Sequence, residues 1–305
     1  LIRLHIRYIK MLNETNTVIA FQLGDNQVRG SIVRLGTTVS NIIKRHNYPK
    51  VIESFLADAL SLTACIGSRM KHKGIFTLQA KGNGEVHTLF SDITNDGFLR
   101  GYAGFETECL NCENDLLSLM GTGHISFTLD QGEFSKRYQG IVTLEGKSLS
   151  KSAEHYFNNS EQLKTSFVTF NSYGFDKKKD EAMQLYSAGL IMLQKMPNKN
   201  DYIDNENNEE VWDTSLKFLS TLNKEEFLSS NLSSENILLR LFNQIGVTVY
   251  DKIEIRDQCR CSDEKVQSAL ETLSKDDLHN ISDIDGNIKV VCEFCKQERN
   301  YPNEV

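Results

Sequence analysis

The chain has 305 residues, a formal net charge of −7, a pI near 5.6 and 39% hydrophobic residues. That length allows two domains with real cores. The acidic balance argues against a nucleic-acid partner, and no apolar run reaches the length of a membrane helix. Cysteines number 7, an odd count, and no secretory signal is recognisable, so the expected compartment is the reducing cytoplasm.

Leu1 to Lys10 carries Arg3, His5, Arg7 and Lys10 with no acid before Glu14. It reads as an upstream overhang or a first strand, with Met11 as the start, in preference to an organellar targeting remnant. Val18 to Leu23, Gly30 to Leu35 and Phe76 to Ala80 predict strands separated by turn residues. Val39 to Arg45 and Val51 to Met70 predict helices, with Tyr48-Pro49 breaking between them. Cys65, beside Ala64 and Ile66, reads as a buried small hydrophobe. Glycines then cluster at Gly82, Gly84, Gly97, Gly101 and Gly104. Strands resume at Ile125 to Leu129 and Gln139 to Leu144, and a helix runs from Ser148 to Asn158. The expected fold class is α+β, a mixed and mostly antiparallel sheet core with helices.

Two phosphate-binding patterns fail on inspection. Gly146-Lys147-Ser148 resembles the end of a phosphate loop, but the required glycine would fall at Ile141 and Val142 to Glu145 is not glycine-rich. Gly82-x-Gly84 lacks a third glycine, because His87 stands there. No nucleotide site is legible, and no histidine is spaced with acids or a nucleophile as a triad requires. Cys109-x-x-Cys112 would suit a redox dithiol or a second metal site. With no partner pair near it in sequence, it reads as incidental.

After Pro197 the composition shifts. Asn198 to Glu210 is polar and acidic and reads as a loop or frayed linker. Amphipathic helices follow through Trp212, Leu216 and Leu219; through Phe227 and Leu228 after an Asn223 cap; and through Ile237, Leu238, Leu241 and Phe242, ending at Gly246. They read as a helical subdomain packed on the core or as a metastable linker.

The C-terminal stretch carries Cys259-x-Cys261 and, after a long insert, Cys292-x-x-Cys295. Two close pairs at that separation are the sequence form of a four-thiolate tetrahedral metal site, with zinc the default occupant and iron the alternative. In the insert, Ser262 caps a helix with Asp263 and Glu264 in its first turn. Ser274 with Asp277 reads as a capping box, and Asp285-Gly286 is a turn leading to Ile288 and Val290. Few apolar side chains are available to a unit of about fifty residues, which therefore needs a staple such as a metal. The pattern fits a structural zinc knuckle or a redox switch in which oxidised thiolates release the metal. Oxidation is expected to join neighbours, Cys259–Cys261 and Cys292–Cys295, because short loops close fastest. The Cys-x-Cys bridge would be tight and easily reduced.

The chain also resembles the heat-shock protein 33 family of redox-regulated chaperonins. Beyond the cysteine spacing, the matching stretches are Val28-Arg29-Gly30, Leu99-Arg100-Gly101-Tyr102-Ala103, Tyr138-Gln139-Gly140-Ile141-Val142, Leu144-Glu145-Gly146, Tyr156-Phe157 with Ser160-Glu161-Gln162, and Leu193-Gln194 before Pro197. The family pattern departs at Asp257-Gln258, where an aromatic usually precedes the first cysteine. It departs again at Lys296 to Asn300, in place of an aromatic ending. The resemblance implies an ATP-independent holdase, not an enzyme, that binds unfolded or partly folded clients. It further implies a zinc-bound, inactive, monomeric reduced form and a client-binding, homodimeric oxidised form. One zinc per chain would sit on Cys259, Cys261, Cys292 and Cys295. The implied domains are a chaperone core over 11–197, a metastable helical linker over 198–257 and a zinc-binding switch over 258–305. The competing readings are a zinc-stabilised adaptor without redox function and a thiol oxidoreductase.

Overall fold

Alternation of apolar residues builds the first hairpin. β1 (Thr17–Leu23) pairs antiparallel with β2 (Val28–Leu35), Leu23 opposite Val28. Gly24 and Asn26, both at positive φ, close the turn between them. The computed structural model describes residues 15–70, 73–106, 115–132, 137–176, 183–197 and 205–302. It divides into two compact units, one ending at Asp257 and the other beginning at Gln258.

In the first unit, α1 (Thr37–Lys44) and α2 (Lys50–Gly67) flank Tyr48-Pro49, and Pro49 in extended backbone starts α2. α2 carries Ile52, Leu56, Leu60 and Cys65, all fully buried. The glycine-rich stretch forms strands. β3 (Ile75–Gly82), β4 (Val86–Thr94) and β5 (Phe98–Phe105) make an antiparallel meander. Gly97 turns at positive φ between β4 and β5, while Gly101 lies inside β5 against Leu60 of α2, where a larger side chain would collide.

After α3 (Leu116–Met120), β6 (Gly123–Asp130) and β7 (Tyr138–Thr143) complete this sheet, and α4 (Leu149–Asn159) follows. Ser148 accepts from the Lys151 backbone N–H as the N-cap of α4. The false phosphate loop is therefore a helix start. Two long strands that the sequence reading did not single out come next, β8 (Thr165–Asp176) and β9 (Met183–Lys195), paired along their whole length. They are hard to read because apolar residues occupy both faces.

Three helices follow, α5 (Asn205–Ser220), α6 (Lys224–Phe227) and α7 (Ser234–Phe242). The expected loop over Asn198 to Glu210 is corrected here: Asn205 to Glu210 are helical, and 198–204 lie outside the described residues. Two contacts fix that end. Asn208 donates to the Met196 carbonyl at 3.3 Å, and Glu209 bridges Lys164 and Lys195. Acids in a first helical turn also complement the dipole. Asn223 caps α6 and Ser233 caps α7, each accepting a backbone N–H three residues on. The unit ends with β10 (Val247–Glu254) and β11 (Arg256–Asp257).

The sheet orders are β10-β1-β2-β9-β8 and β11-β5-β4-β3-β6-β7, antiparallel throughout except for β11 on β5. Period two divides the five-stranded sheet between two cores. Val18, Val33, Leu190 and Met192 face a cluster with α2 and the six-stranded sheet. Ile19, Phe21, Ile32, Ile191 and Leu193 face a second cluster with Trp212, Leu219, Phe227, Ile237 and Phe242 of the helices. Buried Arg34 of β2 donates to the Ser229 and Leu232 carbonyls at 2.7 and 2.5 Å, tying the α6–α7 connection to the sheet. Sequence reading passed over this arginine, because an isolated cation in a strand carries no pattern.

The second unit contains α8 (Asp263–Leu270), α9 (Lys275–Ile281) and the hairpin of β12 (Asn287–Val291) and β13 (Glu298–Pro302). Ser262 and Ser274 cap the two helices as their spacing predicts, and Gly286 takes the positive φ of the turn before β12. The small apolar core expected of this unit is smaller still: neither helix has a buried residue, and Ile288 on β12 is the buried hydrophobe among the unit's described residues.

Candidate metal centre

The first cysteine pair lies outside any helix or strand, just before the capped start of α8. The second sits where β12 turns into β13. Cys292 directly follows the strand, its N–H donating to the Gln297 carbonyl at 3.0 Å. Its own carbonyl accepts from the Lys296 N–H at 2.8 Å. That tight turn, with Lys296 at φ 55°, aims Cys292 and Cys295 the same way. The Sγ atoms of Cys259, Cys261, Cys292 and Cys295 all lie within 4.8 Å of one another, close enough to hold a metal ion. Cys259 and Cys292 are 3.7 Å apart, Cys261 and Cys295 3.5 Å. A tetrahedron of metal–sulfur bonds of about 2.3 Å has edges of roughly 3.8 Å, so the donor set and its dimensions fit a tetrahedral ion.

Thiols this close cannot all ionise unaided. Burial opposes ionisation of Cys259, but hydrogen bonds from the Cys261 backbone and the other thiols bring it down to about 7. Burial, and donation toward Cys259, raise Cys261; burial first, then its thiol neighbours, push Cys295 up to about 12. Cys259 ionises at the expense of Cys261 and Cys295, and a bound cation would relieve that competition.

One neighbour escaped the sequence reading. Arg299 on β13 donates through Nη2 to Cys261 Sγ at 3.5 Å and to Gln297 Oε1 at 3.0 Å. Its Nε donates to Asp263 Oδ1 at 2.8 Å. Its signal was a cation four residues past the last cysteine, which spacing alone cannot distinguish from a solvated charge. Of the remaining cysteines, Cys65 is buried in the first unit, where burial raises its thiol to about 12. Cys109 and Cys112 lie outside the described residues.

A family model described as Hsp33 protein matches residues 16–302. The chain belongs to the Hsp33 family. The 33 kDa chaperonin of Caulobacter vibrioides is 31% identical over 288 residues, covering 92% of this chain and 93% of its own. That of Aliivibrio salmonicida is 33% identical over 281 residues, covering 92% and 90%. A crystal structure of the Hsp33 homolog from Thermotoga maritima shares the fold, with a TM-score of 0.76 at 23% identity over 95% of this chain and 96% of that one. Hsp33 proteins are chaperones, and the four clustered cysteines fall inside the matched span. Among the described residues, no helix is long and apolar enough to cross a membrane.

Proposed function

We propose that this chain is a redox-regulated, ATP-independent holdase of the cytoplasm. Unfolding proteins are its clients, and Cys259, Cys261, Cys292 and Cys295 hold one zinc in the reduced form. The observation that carries this reading is the four-sulfur cluster with tetrahedral dimensions in a chain of a chaperone family. Four thiolates suit zinc over harder ions. When bound, zinc keeps the four thiolates ionised and braces a unit that has little apolar core.

The residues do the switching. Each cysteine pair gives up two electrons to a peroxide: two thiolates, one peroxide and two protons become one disulfide and two waters. The proposed bridges are Cys259–Cys261 and Cys292–Cys295. The two sulfur contacts given above run across the pairs, but all edges of a tetrahedron are alike. Once the metal has left, loop length decides, and neighbours meet first. Losing the site unfolds residues 258–305, and the linker over 198–257 then loosens from the core over 11–197. Trp212, 4% exposed in the second cluster, marks that linker. The oxidised form pairs as a homodimer and the reduced form is a monomer. Neither nucleic acid nor membrane is a partner, and the chain is not an enzyme.

The test follows zinc release, Trp212 emission and suppression of client aggregation together as peroxide is added with mild heating and no ATP. All three should move in step, with Trp212 shifting to the red. An adaptor would keep its zinc, a thiol oxidoreductase would turn over a dithiol, and full suppression by the reduced protein would overturn the switch.

A further inference from the structure

The second unit spends one of its better-covered side chains on a cation. The Arg299 side chain is 12% exposed, in a unit whose helices bury nothing. Its guanidinium spans three parts of the site. It reaches Cys261 of the first pair, Asp263 at the start of α8, and Gln297, whose carbonyl holds the Cys292 N–H. Asp263 is fixed in turn by the Tyr301 hydroxyl, which donates to the same Oδ1 at 2.9 Å. The planar guanidinium fork holds its donors toward these three acceptors in one fixed geometry, which a lysine ammonium on a flexible stem does not reproduce.

We propose that Arg299 is a positioning residue that guards Cys261. Its N–H···S bond draws electron density from that sulfur and slows attack on oxidant, setting the threshold at which the switch responds. The inference rests on the zinc-switch reading above.

The sign follows from the state of the sulfur. Beside a free thiol, a cation has two opposed effects: it increases the thiolate fraction and lowers the nucleophilicity of each thiolate. A metal-bound thiolate is already ionised, so only the second effect remains. Removing the guanidinium therefore exposes a more electron-rich sulfur. Partners that hydrogen-bond to ligating atoms typically change metal affinity or activity by about 10- to 100-fold. Electrons balance as before: the peroxide accepts two from a thiolate pair, and Arg299 neither gives nor takes a proton.

The experiment compares the full reduced zinc protein with Arg299→Met, Arg299→Lys and Asp263→Asn. A chromophoric chelator reads zinc release after hydrogen peroxide. The magnetic resonance of the cadmium nucleus in cadmium-substituted protein reads the sulfur environment directly. Arg299→Met should release zinc on the order of tenfold faster and move the cadmium resonance. Arg299→Lys should fall between it and the wild type. Asp263→Asn keeps an acceptor oxygen for Nε and should change little. Equal release rates with an unmoved resonance would overturn the proposal. So would Asp263→Asn matching Arg299→Met in rate while neither moves the resonance, since Arg299 would then only brace the fold. If the wild type keeps its zinc under peroxide, the switch reading fails by itself. Zinc transfer to the chelator without oxidant, together with the cadmium resonance, then still decides whether Arg299 acts on the sulfur.

Discussion

The two units solve the folding problem in different ways. Up to Asp257 the chain buries two large apolar clusters, one on each face of a five-stranded sheet. From Gln258 on, Ile288 is the buried hydrophobe among the described residues, while Ile284 is 101%, Ile281 50% and Leu273 40% exposed. Burial at about 25 cal/mol per Å² can hold the first unit. It cannot hold the second, whose order has to come from the cysteine cluster. Under the proposed function, stability and responsiveness are allotted to separate stretches of one chain: the first unit is held by buried area, and the second by what its four sulfur atoms bind.

Removing the metal strikes this contrast hardest. Binding at a structural four-ligand site contributes on the order of 10 kcal/mol. Chelation under reducing conditions, or Cys292→Ser, should therefore collapse the amide dispersion of residues 258–302 while the signals of both large sheets persist. Dispersion retained throughout without metal would mean that the second unit has a core of its own.

A smaller effect tests the other side. Phe227 is fully buried and stacks on Phe170 with ring centroids 4.3 Å apart. Phe227→Ala should cost the first unit about 3–5 kcal/mol in chemical denaturation. Zinc affinity of the reduced protein should not change. A parallel loss of affinity would show that the two modes of stabilisation are coupled in the resting state.

The smallest effect is a pH dependence confined to the first unit. Burial raises the Asp58 carboxyl on α2 to about 6, against hydrogen bonds from Asn171 and Thr169. The native state therefore holds this proton more tightly than the unfolded chain. The stability it contributes is complete below the ordinary carboxyl value near 4 and is lost as pH rises through about 6, on the order of 3 kcal/mol. Asp58→Asn should flatten that loss, raising the denaturation midpoint at pH 7.5 but not at pH 4. An unchanged difference between the two pH values would show that Asp58 titrates normally.

What was readable in the sequence follows from the range of the forces involved. Ser148, Asn223, Ser262 and Ser274 cap helices because a side-chain oxygen meets a backbone N–H within one turn, a contact that neighbouring residues settle among themselves. The cysteine spacing is local in the same sense, since each pair needs only a tight turn. β8 and β9 gave no clear signal, because a strand buried on both faces loses its alternation. β5 was obscured by its glycines, whose roles appear only once Leu60 of α2 lies against Gly101 and His87 of β4 against Gly104.

By itself, then, the sequence determined the four candidate ligands, most helix starts, the mixed α+β class and the family. All are encoded in short-range patterns or in motifs distributed along the chain. The tertiary structure alone decided that Asn205 to Glu210 would be helical, because Lys164, Lys195 and the Met196 carbonyl had first to be brought beside them. It also decided that Arg34 would grip the carbonyls of Ser229 and Leu232, nearly two hundred residues away. Lastly, it set Arg299 against Cys261. A guanidinium on a long side chain acquires a role only from what packs around it, and those acceptors come from parts of the chain that only folding brings together.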